Sequence, residues 1–133
     1  MTSITSNKNT TTQLIGGYVI SWQLKQTLAG YVLIKQQHEL GQDVLSSLQA
    51  IVGGLIEVVT YLDGAVLLMN EEALVEQQLA WVVSPDDWLH RVVPEHMQVQ
   101  GNKVLVGTVV LAADDGLQFS GFTAEQAASY MSK

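Results

Sequence analysis

A chain of 133 residues, 47% hydrophobic and 14% charged, is long enough to bury a real core and too apolar to be disordered as a whole. Thirteen acids against six bases give a net charge of −7, which argues against a grip on nucleic-acid backbones, and the absence of cysteine excludes a disulfide framework or a thiolate metal site. No apolar run reaches membrane-spanning length and no basic-then-apolar leader opens the chain, so a soluble cytoplasmic protein without membrane association is expected.

Met1–Gln13, "MTSITSNKNTTTQ", is polar and rich in Ser, Thr and Asn, and reads as a disordered tail over 1–13. A single domain is expected over 14–133. In "YVISWQL", Tyr18, Ile20, Trp22 and Leu24 alternate with Val19, Ser21 and Gln23, the period of a strand. "AGYVLIKQ" repeats the alternation, and "KQTLAG" between them suits a hairpin link.

"DVLSSLQAIVGG" is the first helix. Asp43 suits the N-cap, and Val44, Leu45, Leu48, Ile51 and Val52 form one apolar face. Gly53 falls where a helix is left through a left-handed residue. Phosphate-cradling glycines precede a helix and present its positive end; these follow one, at its negative end. Gly54 is then free to permit close packing or close approach of a ligand.

In "LIEVVTYLDGAVLLMN", Asp63–Gly64 suits a two-residue type I′ turn. Counting outward from it, Val59 faces Leu68, Val58 faces Met69, and Glu57 faces Asn70 on one side of the sheet, beside Gly54. A carboxylate in so apolar a strand needs a partner, and an Asn amide can donate to it.

"NEEALVEQQLAWVV" reads as a second helix capped by Asn70, with Glu71 and Glu72 at its positive end and Val75, Leu79, Val82 and Val83 as its stripe. "SPDDWLHRVV" reads as a third, with Ser84 as cap, Pro85 in the first turn and Pro94 as its stop. "MQVQGNKVLVGTVVLAA" suggests a hairpin around Gly101–Asn102 leading into a long strand at the sheet centre. "FTAEQAASYM" closes as a short helix with Thr123 and Gln126 in a capping box. The order predicts a single α+β domain with a mixed, mostly antiparallel sheet and helices packed mainly on one face.

"LQAIVGGLIEVV", then "NEEA", then "KVLVGTVVLAADD" resemble a family of small phage and mobile-element proteins of unknown function. Its pattern is LQxxVGGxIE, then NEEG, then an apolar strand with a VG or IxG step. The resemblance spans about Tyr31 to Thr123, and the hairpin from Leu14 looks like an addition to it. Ala73 stands where the family usually has glycine, which favours the helix after Asn70. The resemblance implies a viral or mobile-element context and a motif that gathers Glu57, Asn70 and Glu71.

His38, His90 and His96 lack metal-ligand spacing, and adjacent Glu71 and Glu72 point apart on a helix. A Ser–His–Asp set stays open, without a nucleophile-elbow pattern. The expected function is a non-enzymatic binding protein, of counter-defence type. It takes a small ligand, a nucleotide included, at Gly54, Glu57, Asn70, Glu71 and Arg91, without metal or cofactor. Arg91 is the preferred phosphate contact among Lys25, Lys35, Arg91 and Lys103. The alternatives are an acidic inhibitor of a host protein, a DNA mimic included, and a small hydrolase. Three tryptophans and a mean hydropathy of +0.20 point to a homodimer.

Overall fold

The computed structural model describes residues 16–133, so the tail expected over 1–13 lies outside the described residues. β1 (Tyr18–Thr27) and β2 (Gly30–Glu39) form the expected hairpin, in unbroken register from Thr27 opposite Gly30 to Tyr18 opposite Glu39. The first helix, α1 (Val44–Val52), begins and ends as its caps dictate. The Asp43 carboxylate accepts the Ser46 backbone N–H at 3.0 Å and its hydroxyl at 2.9 Å, and these bonds hold its pKa below the ordinary value. Gly53 has φ 84° and donates its N–H to Gln49 O at 2.8 Å.

β3 (Ile56–Leu62) and β4 (Ala65–Asn70) turn at Asp63–Gly64, with Leu62 opposite Ala65. Only Gly64 has positive φ, so the turn is not type I′, which needs it at both central residues. A bulge between Val58 and Thr60 then shifts the register by one, because Val59 has no partner on β4. Asn70 therefore faces Ile56, while Glu57 faces Met69. The expected Glu57–Asn70 pair is corrected: the two side chains project from opposite faces of the sheet.

The stretch after Asn70 is not a helix. Glu76 N–H reaches Glu72 O at 2.8 Å, as in a helical turn, but Gln77 adopts φ 57° and Gln78 N–H returns to Ala73 O at 2.9 Å. The chain then extends as β5 (Ala80–Val82). Trp81 is buried and Ala80 and Val82 are exposed, so period two prevails over the helical stripe, and Val75 stays 80% exposed. Ser84 does cap, accepting Asp86 N–H at 3.2 Å, but only a turn follows, and α2 is confined to Leu89–Val92. A 3₁₀ turn follows Pro94.

β6 (Gln98–Val99) and β7 (Asn102–Val106) turn through Gln100 and Gly101, both at positive φ, one residue earlier than expected. The long apolar strand also divides. Gly107, at φ 74°, separates β7 from β8 (Val109–Asp114). β5, β7 and β6 make a small sheet, while β8 enters the main sheet, whose order is β2-β1-β8-β4-β3 with β9 (Phe119–Ser120) on β8. The strand expected at the centre is therefore β8 alone. Helix α3 (Ala124–Met131) carries the expected Thr123–Gln126 capping box.

All described strand pairings are antiparallel, and the α+β architecture stands as expected. On one face of the main sheet Ile20, Trp22, Leu67 and Leu111 pack under Trp81, Leu105, Leu89 and Ala127, so α2, α3 and the small sheet share that side. On the other, Val19, Val66, Leu68 and Val110 pack under Leu48 and Val52 of α1.

Candidate functional site

The two glycines after α1 divide the labour. Gly53 supplies the left-handed stop. At Gly54 a Cβ would lie 2.8 Å from Asn70 Nδ2, so only glycine lets β4's last residue press against this turn. Asn70 is 1% exposed. Its Nδ2 donates to Val52 O at 3.3 Å and to Glu76 Oε1 at 3.0 Å, and its Oδ1 accepts Glu72 N–H at 2.7 Å. The amide thus satisfies a carbonyl at the end of α1 and ties it to the 71–77 turn. Glu76 Oε1 also accepts Gln78 Nε2 at 2.9 Å.

Above this knot lies an open groove of about 330 Å³. Ile51 and Val52 of α1 with its capping Gly53 form one wall, Gln23 and Leu24 of β1 another, and Gln78, Leu79, Gly107 and Thr108 the rest. Gly107 is fixed by its N–H to Leu79 O at 2.8 Å and by Trp81 Nε1 donating to its carbonyl at 2.9 Å. A side chain at 107 would collide with Gln78 Oε1, so this glycine too is set by close approach. The groove opens at the negative end of α1, with Glu76 bonded to its Gln78, and among the described residues no Lys or Arg lines it.

Of the residues expected at the site, the structure brings Gly54 and Asn70 together and leaves the others apart. Glu57 is exposed on edge strand β3, where water solvates the carboxylate and removes its need for a partner. Glu71 is exposed, and its backbone N–H binds Leu55 O at 2.8 Å. Arg91, on α2, lines a separate groove with Asp86, Asp87, Trp88 and Lys133. Two other cations serve helix ends. Lys35 Nζ donates to Tyr130 O at 2.8 Å, and buried Lys103 donates to His90 O at 2.7 Å. Burial lowers the pKa of Lys35, partly countered by the charge of Asp87.

Sequence reasoning missed Gln23, Gln78 and Thr108. A signal was present in Gly107, a glycine interrupting an apolar run, which marks close backbone approach. The open Ser–His question has a geometric answer. Ser21 Oγ lies 2.7 Å from His38 Nε2, but Ser21 is 3% exposed, and among the described residues no carboxylate binds the imidazole. Burial lowers the pKa of His38, which favours its neutral form. Ser21 and His38 thus form a part-buried hydroxyl–imidazole hydrogen bond, a pair without the third group of a triad among the described residues.

Fold and groove define a small antiparallel α+β domain with one helix pressed against the strands that carry the glycine–asparagine knot. The chain belongs to the family described as Domain of unknown function (DUF3846), whose model matches residues 30–133. No curated protein and no solved structure matches the chain. The match begins at β2, so β1 lies outside it. β1 is nevertheless interior to the sheet, between β2 and β8, with Ile20 and Trp22 buried.

Proposed function

We propose that the protein is a small non-enzymatic binding protein whose ligand occupies the groove at the C-terminal end of α1. The observation that supports this reading is the convergence of polar groups, Gln23, Gln78 and Thr108, on a surface otherwise made by Leu24, Ile51 and Leu79. Few polar groups fixed on an apolar floor are how small-molecule sites orient a ligand. The knot beneath supplies rigidity, because the Asn70 amide spends both its donors and an acceptor lone pair inside the protein.

The same groove argues for a neutral or cationic ligand rather than a nucleotide phosphate. Among the described residues its lining has no cation, it opens at the carbonyl end of α1, and Gln78, which lines it, donates to the Glu76 carboxylate. Arg91 lines another groove, together with Asp86 and Asp87. The mobile-element setting and a counter-defence role rest on the motif resemblance.

Native mass spectrometry of the protein purified from expressing cells tests the proposal. A retained molecule, released on denaturation and excluded by Leu79→Trp, is the expected result. A bare chain, together with no thermal shift from a panel of neutral and cationic metabolites, would refute it. A co-purifying macromolecule retained by Leu79→Trp would favour the protein-inhibitor reading instead.

A further inference from the structure

The two edges of the main sheet are built differently. On β3, Glu57 is exposed and Val59 forms a bulge. A charge and a bulge both discourage a second chain from pairing with an edge. β2 has neither a proline nor a register shift along its ten residues, and among the described residues nothing pairs with its outer side.

β1 pairs with β8 from Ile20 to Trp22 and Tyr18 is bridged to Phe122, so the hairpin beyond Trp22, toward its turn, projects as a two-stranded ribbon. A lone ribbon is marginally stable in water. This one nevertheless leaves Tyr31 55%, Val32 44% and Leu33 40% exposed along β2.

Charge selects the occupant. All thirteen acids of the chain lie at Glu39 or beyond. From Gln23 to Gln37 the hairpin's charges are Lys25, on the inner strand, and Lys35, whose ammonium is drawn onto the carbonyls at the end of α3. Two copies of a chain of net charge −7 repel one another over most approaches, and the acid-free stretch of β2 from Gly30 to Gln37, short of Glu39 at its far end, is where they can meet without juxtaposed carboxylates.

We propose that β2 pairs antiparallel with β2 of a second copy across a two-fold axis, centred on Tyr31–Leu33, so that two main sheets become one. Each copy then supplies backbone partners to the other's Gly30–Ile34 and covers its apolar side chains. Such an interface is isologous and closes at two copies. It stands independently of the ligand reading, because the groove lies on the inner side of the ribbon.

Light scattering on the full chain tests it, with Tyr31→Glu/Leu33→Glu as the disrupting variant. Both positions are exposed, so the fold should survive, as circular dichroism can confirm. The wild type is expected at twice the 14.5 kDa chain mass. The double variant should fall to the single-chain mass, and Tyr61→Glu beside the β3 edge should leave the dimer intact. Hydrogen exchange gives a second readout: β2 amides should lose protection on dilution of the wild type. A wild type at single-chain mass at every concentration, a dimer that survives the double variant, or a dimer abolished only by Val82→Glu on the small sheet would overturn the proposal.

Discussion

Replacing Asn70 with alanine removes three hydrogen bonds from a residue that is 1% exposed. A hydrogen bond contributes about 0.5–1.5 kcal/mol net, and more is lost when a buried partner stays unsatisfied. Val52 O would be left in that condition, so with three bonds lost the expected loss is roughly 2–4 kcal/mol. That is a large share of the ~5–15 kcal/mol that holds a domain together. Asn70→Asp sharpens the test, because it keeps the shape and reverses the chemistry. An acceptor oxygen would then face Val52 O and the Glu76 carboxylate, so the loss at neutral pH should equal or exceed that of alanine and shrink in acid as the carboxyls protonate. Urea denaturation followed by tryptophan fluorescence reads both variants. A midpoint within error of the wild type for either one would refute the view that Asn70 locks α1 to the 71–77 turn.

Gly53→Ala should cost about 1–2 kcal/mol from left-handed strain at φ 84°, measurable as a lower denaturation midpoint. Gly54→Ala should also destabilise, through its collision with the Asn70 amide, and the combination with Asn70→Ala should cost less than the sum in a double-mutant cycle. His38 has a pKa lowered by burial from 6.5, so the unfolded chain binds the extra proton first and stability should decline as pH falls below 6.5. His38→Gln should flatten that decline in a pH series of thermal melts. Glu57→Gln should move stability by less than ~0.5 kcal/mol, since the carboxylate is solvated on an edge strand; a larger loss would point to a partner for Glu57.

What the sequence determined by itself is what neighbouring residues decide among themselves. Asp43 and Gly53 bracket α1, and Thr123 with Gln126 starts α3, because a cap is satisfied within one turn of its own chain. The place of the Asp63–Gly64 turn is equally local. Tertiary structure decided the rest. Asn70 reads as a helix cap, and its side chain does accept Glu72 N–H, but Trp81 must reach the core beside Leu105, and that draws the following chain into β5. Gly107 parts one apolar run into two sheets because Gln78 and Trp81 converge on its backbone. The Val59 bulge moved Glu57 away from Asn70, and a register count from the turn has no means to see it. The knot and groove depend on residues far apart in the chain, Gln23 and Asn70 and Thr108 among them, which only the packing of α1 against the sheet brings to one place.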